Sequence, residues 1–385
     1  MDFLRQVAQQ RAVTRREFLR SVAVTGAASQ LLGFTPLRAA AMPQRQKTVV
    51  VTFGGGARDE ETFAPEGQEN IPHLLNELIP QATFCTQLVN RGILGHYVAT
   101  ASLATGVYES FDNFADVAPK NPTVFEYFRK GLNRPVNDVW VIAPSNGFNR
   151  IGQSDGSLIA PGMGAQVILP KHLLASALTK VSNATPGMDF LLQDNYENYL
   201  FSPPDVKSDL GIAKLTEMLH LSVEDFAHHA QTLSSADELS VYVMRQVMKQ
   251  FAPSLLWITL HDMDVAHTGA YSLYLEGIKR TDRLCADIWK MIESDQEYKG
   301  RTTMLILPDF GRDSDFSTSG NGFQHHRTGD PLSRTTWMMA LGPHIRQNYT
   351  VDRPLDSLDL VPTLGAMMDF ATPLAKGKPI VEVLG

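Results

Sequence analysis

Cysteine is all but absent from this chain: its 385 residues include two, Cys85 and Cys285. Two such residues build neither a disulfide framework nor a zinc ribbon. Their apolar neighbours argue for buried free thiols; the alternative is one long-range disulfide. Charge is sparse as well, at 19% of residues, with a formal net charge of −7. No basic run stands out beyond the N-terminal segment, so nucleic acid is not an expected partner. There is no Pro/Ser-rich linker, no internal repeat and no low-complexity tract, which excludes solenoids and strings of small modules. What remains is a chain that is 43% hydrophobic, enough for a sizeable core in one large α/β domain or two ordinary ones.

The first residues have a different character. TRREFLR (14–20) is followed by SVAVTGAASQLLGF (21–34) and LRAAA (37–41). This resembles a twin-arginine export signal: paired Arg15 and Arg16, then Phe18 and Leu19, a weakly apolar stretch, and small residues at Ala39–Ala41. The stretch is short and rich in Ala, Gly and Ser, unlike a robust membrane span. We therefore read 1–41 as a signal engaged by the twin-arginine export machinery. It delivers a periplasmic or otherwise extracytoplasmic protein that touches the membrane only if the signal is uncleaved. That route carries folded clients, which agrees with a cofactor loaded before export.

From residue 47 the pattern alternates. KTVVVTF (47–53), DVWVIAP (138–144), GAQVILP (164–170), LLWITL (255–260), TTMLILP (302–308) and TTWMMALG (335–342) read as strands, being apolar runs rich in β-branched residues. IPHLLNELI (71–79), VFEYFRKGL (124–132), 171–181, DELSVYVMRQVMKQF (237–251), 271–292 and SLDLVPTLGAMM (357–368) have helical periodicity. Alternation of this kind predicts an α/β fold with a mostly parallel central sheet flanked by helices. The expected unit is one domain, 42–385, with a helical insertion at about 186–236.

Chemistry gathers after two of these strands. LLWITL runs into His261 and Asp262, then Asp264 and His267; TTMLILP runs into Asp309, with His325 and His326 some sixteen residues on. Carboxylates and imidazoles just past strand ends are what a divalent-metal site in an α/β fold requires, zinc or manganese being the ions such donors suit. The triple glycine of GGGARDE (54–60) either cradles an anion through backbone N–H groups or marks close backbone approach. Asn146 and Asn149 follow another strand end and are ordinary turn chemistry or part of the site.

Several segments together resemble the alkaline phosphatase superfamily, which includes sulfatases, nucleotide pyrophosphatases and cofactor-independent phosphoglycerate mutases. They are ALGPHI (340–345), DSLDLVPTLGAMMDF (356–370) with Pro373 and Gly377, HDMDVAHTGAYS (261–272) with Asp282 on the helix behind it, and LPDFG (307–311). More loosely, VVVTFGGGARDE (49–60) and HYVATASLATG (96–106) match the first strand and the nucleophile helix. The texture is that of twin-arginine-exported, sulfatase-like bacterial members.

The resemblance implies an alkaline phosphatase/sulfatase-like sheet and a metal-dependent hydrolase of a phosphate or sulfate ester or related small anionic substrate. It implies a metal held by Asp264 (or Asp262), His267 and either His325 or His326, with Asp309 as a further ligand. His96 or Thr100 would lie under the scissile group, and Arg58 or Arg312 would neutralise its charge. The chain departs from the pattern at Gly55, where a ligating Asp is usual, and at Phe310, where a His is usual. The implied metal site is therefore a reduced one. The alternative is a non-catalytic binding or structural protein on the same fold, and a further one is a subunit of an envelope assembly.

Overall fold

Every side chain of β1 (Lys47–Phe53) is buried, as expected for β-branched residues at the centre of a sheet covered on both faces. The computed structural model describes residues 46–384 except 116, 146, 181–188, 193–221 and 318–319. The twin-arginine segment, most of the expected insertion at 186–236, and Asn146 lie outside the described residues. Among the described residues no helix is long and apolar enough to cross a membrane.

The described strands form one eight-stranded sheet in the order β4-β3-β5-β1-β6-β7-β2-β8. Its members are β2 (Thr83–Val89), β3 (Val139–Ile142), β4 (Gln166–Ile168), β5 (Leu255–Leu260), β6 (Thr302–Pro308), β7 (Thr335–Leu341) and β8 (Tyr349–Asp356). β1 pairs in parallel with β5 and β6. β7 runs antiparallel to both its neighbours, β6 and β2. The sheet is thus mixed but mostly parallel, as the alternating pattern predicts.

Period-two alternation sends neighbouring residues to opposite cores. Val49, Val51 and Phe53 join one core with Leu256, Ile258, Met304 and Ile306. Val50 joins the other with Leu255, Trp257, Leu305 and Leu307. The longer helices are α1 (His96–Thr105), α2 (Val124–Leu132), α3 (Pro170–Lys180), α4 (Ala236–Phe251), α5 (Tyr271–Ser294) and α6 (Leu360–Met368). α3, α4 and α5 cover the first face, through residues such as Leu174, Val243, Met244, Ile278 and Ile288. α1, α2 and α6 cover the second, through Ala101, Leu103, Phe125, Phe128 and Leu364. Both cysteines are buried free thiols.

Two strands depart from the sequence expectation. β2 carries Thr and Gln among its apolar residues, and its register shifts between Cys85 and Leu88. β8 contains Pro354 and three charged residues; it is an edge strand, where Pro and charge are tolerated because one side needs no ladder. The expected helix at 71–79 is present but irregular: 72–81 is helical throughout, with a π turn at Leu74–Leu78 and a 3-10 turn at Ile79–Gln81. Asp282 of α5 secures its start by accepting the N–H groups of His73 at 3.0 Å and Leu74 at 2.6 Å.

Register fixes where the site falls. Phe53 aligns with Leu260 and with Pro308, so Gly54, His261 and Asp309 leave three adjacent parallel strands at one level. That is the carboxyl edge at which ligand sites of α/β sheets form.

Candidate metal centre

Residues 262–268, directly after β5, form a 3-10 turn that ends at Gly269. Ser235 caps α4 by accepting the Glu238 N–H at 3.2 Å. In the first turn of that helix, Asp237 accepts the N–H groups of His261 at 2.7 Å and Asp262 at 2.9 Å, which anchors the start of the 3-10 turn. The turn directs Asp264 into the protein, where it is 1% exposed. Asp262 faces elsewhere and pairs with Arg280 at 3.1 Å. In contact with Asp264 is His96, which opens α1; the first turn of that helix is capped from outside by Asn113 Oδ1 accepting the Tyr97 N–H at 3.0 Å.

One ligand atom from each of His96, Asp264, His267 and His326 lies within 4.8 Å of the others. Asp264 Oδ1 is 3.1 Å from His96 Nε2 and 3.2 Å from His267 Nε2, and His267 Nε2 is 2.9 Å from His326 Nε2. Four ligands at about 2.0 Å around a tetrahedral ion stand about 3.3 Å apart, so the spacings fit a shared ion. The donor chemistry fits as well. His96 Nδ1 is 2.7 Å from Asp309 Oδ2, and His326 Nδ1 is 2.9 Å from the Leu94 carbonyl. Those oxygens only accept, so each Nδ1 carries the hydrogen and each Nε2 is turned to the cluster, the arrangement typical of metal-ligating histidines. His96 Nε2 and Asp264 Oδ2 are buried and have no hydrogen-bond partner. Three imidazoles and a carboxylate are a donor set suited to zinc.

Electrostatics follow from the packing. Burial works against a charge on His96, but the carboxylates of Asp264 and Asp309 outweigh it and push the imidazole up to about 10. Burial, reinforced by the positive charges of His96 and Arg312, pushes His326 down to about 2. Burial would raise Asp264; the His96 charge and the His267 hydrogen bond instead hold it well below the usual carboxylate range.

The remaining sequence candidates are placed as follows. Asp309 stands one step behind the cluster. Its Oδ1 accepts the N–H groups of Gly55 at 3.0 Å and Phe310 at 2.9 Å, and its Oδ2 faces His96. His325 is exposed, because only the second of the two histidines turns inward. Arg58 is buried and held by Glu61 and Asp315, so its charge is already matched. Arg312 is buried against Asp264 instead of facing an open anion site. Thr100 is fully buried one turn into α1, and its hydroxyl has no hydrogen-bond partner. Phe310 stacks on His96, with centroids 4.8 Å apart and planes at 22°.

His261 belongs to the centre although sequence reading assigns it no role. Its Nδ1 lies 2.9 Å from the Gly54 carbonyl and its Nε2 3.7 Å from Asp264 Oδ2. A Cβ on Gly54 would fall 2.4 Å from that Nδ1, so glycine there is a requirement of close approach. The Asn-rich loop after β3 contributes Phe148, whose ring packs on His261 at 4.9 Å.

By sequence the chain matches no family model and no curated protein. By structure it has the alkaline phosphatase/sulfatase-like α/β fold. Alkaline phosphatase PafA superposes with a TM-score of 0.53 at 11% identity, over 90% of this chain and 100% of that one. The phosphonate monoester hydrolase of Agrobacterium radiobacter gives 0.53 at 12% identity, over 89% of this chain and 77% of that one. A protein of the alkaline phosphatase superfamily from Vibrio parahaemolyticus gives 0.50 at 12% identity, over 96% and 78%.

Proposed function

We propose that this protein is an exported hydrolase of a phosphate or sulfate ester, or a related small anionic substrate, working with one divalent ion held by His96, Asp264, His267 and His326. The observation that carries the reading is the convergence of three imidazole nitrogens and one carboxylate oxygen at ligand spacing, at the carboxyl edge of the sheet. The shared fold with an alkaline phosphatase and a phosphonate monoester hydrolase points to the reaction class. The twin-arginine motif of residues 14–41 supports export.

A divalent ion bound there supplies Lewis acidity toward the ester oxygen. Asp309 keeps the His96 proton on Nδ1, the Leu94 carbonyl does the same for His326, and Arg312 orients Asp264. Thr100 is fully buried and His96 is a ligand, so the nucleophile is water. Its oxygen bonds to phosphorus or sulfur as the ester P–O or S–O bond breaks. The water gives up its proton to the leaving alkoxide as that bond breaks.

One observation favours a second reading, a binding or structural protein on the same fold. Four protein donors already complete a tetrahedral shell, as in structural zinc sites, whereas catalytic sites commonly keep one position open. Chromogenic phosphate monoesters, phosphate diesters and sulfate esters separate the two readings. The hydrolase reading expects turnover by zinc-loaded protein that stops on chelation and returns with zinc. Bound zinc without turnover of any ester would support the structural reading.

A further inference from the structure

The triple glycine and Arg312 answer each other. Arg312 is among the largest fully buried side chains, and its guanidinium is held on several sides. Nε donates to the Gly56 carbonyl at 2.8 Å, Nη1 to the Phe323 carbonyl at 3.2 Å, and Nη2 to Asp264 Oδ1 at 2.9 Å. The Tyr274 ring lies 5.6 Å away. A Cβ on Gly55 would fall 2.8 Å from Nη2, and Gly55 has φ +101°, a conformation that side chains rarely adopt. Position 55 therefore offers neither a side chain nor the space for one. The guanidinium fills that space.

Asp264 Oδ1 is also the oxygen that His96 and His267 approach. Its hydrogen bond to Arg312 withdraws electron density from the oxygen and fixes a full positive charge beside the place a divalent ion would take. Arginine does not deprotonate in proteins, so this charge is permanent.

We infer that Arg312 is the resident second cation of the centre: a positioning residue that limits the site to one divalent ion and weakens the hold of the four donors on it. This rests on the metal-centre reading above. Like charges repel strongly at a buried site of low effective dielectric. Removing the charge while keeping a hydrogen-bond donor should tighten zinc binding, the reverse of what loss of a merely structural contact would do.

The test is zinc affinity, by competition with a chromophoric chelator, and zinc stoichiometry of wild type, Arg312→Lys and Arg312→Gln. Melting curves of the metal-free proteins show whether each variant is folded. We expect one zinc per wild-type chain, affinity for Arg312→Lys near wild type, and binding by Arg312→Gln about ten-fold tighter or more. A folded Arg312→Gln that binds zinc more weakly would overturn the inference. Should that variant fail to fold, Arg312→Met, which removes the charge and keeps most of the side-chain length, is judged by the same criterion, and two zinc ions per wild-type chain would overturn the inference on its own. Wild type that binds none refutes the metal-centre reading itself, which is a distinct result.

Discussion

Replacing His96 with alanine should cost the metal-free protein about 3–5 kcal/mol, the range for breaking a buried ionic pair by removing one partner. His96 is 2% exposed and lies between Asp264 and Asp309, themselves 1% exposed. Without the imidazolium, Asp309 loses its charged partner and Asp264 keeps Arg312 and His267. The effect should depend on pH. A base whose pKa is raised on folding stabilises the folded state fully below its ordinary value, here 6.5, and loses that contribution as pH rises through about 10. Denaturant unfolding of chelator-treated wild type and His96→Ala should therefore differ most at pH 6 and progressively less toward pH 10. His326, pushed down to about 2, lowers stability as pH falls below its ordinary value; burial leads that shift and both proteins keep it, while the part due to the His96 charge is relieved in His96→Ala and narrows the difference somewhat at the acid end. A gap that is small at pH 6, or that widens with pH, would mean that His96 is not held as a cation between the two carboxylates.

Asp309→Asn should weaken zinc binding by about 10- to 100-fold, the usual cost of losing the outer partner of a metal-ligating histidine. The amide oxygen can keep the Gly55 and Phe310 N–H groups that Oδ1 accepts. The amide nitrogen then faces His96 Nδ1, and two N–H groups cannot face each other. The imidazole must move its hydrogen to Nε2, where the lone pair is needed. Chelator competition measures the loss, and a melting curve shows whether the fold persists. Unchanged zinc affinity in a folded Asp309→Asn would remove His96 from the ligand set.

Both predictions concern residues whose roles differ in geometry from their order in sequence. Asp309 follows a buried strand and reads as a ligand. A ligand and the partner of a ligand carry the same local signal, and only the placement of α1 over the sheet edge separates them. Arg312 advertises charge, but that the charge is enclosed follows from Gly55, Gly56 and Phe323 packing around it. His261 sits between a strand and an acidic turn, and nothing local marks it out from Asp262. Asp264 and His267 are legible because a strand end and a short turn alone bring them together. The same holds for the fold: β1, β5 and β6 are continuous apolar runs that identify themselves, whereas β2 and β8 are made strands by their neighbours, through pairing that residues 83–89 and 349–356 do not announce.

The central claim is a single ion held by His96, Asp264, His267 and His326. Its most direct test is the metal content of the protein purified from its native host, by mass spectrometry, alongside His267→Ala, His326→Ala and His325→Ala. The account predicts about one zinc or manganese per chain in wild type and in His325→Ala, whose substituted side chain is exposed, and loss of the ion in the other two variants. Metal-free wild type, or an ion retained in both His267→Ala and His326→Ala, would contradict it.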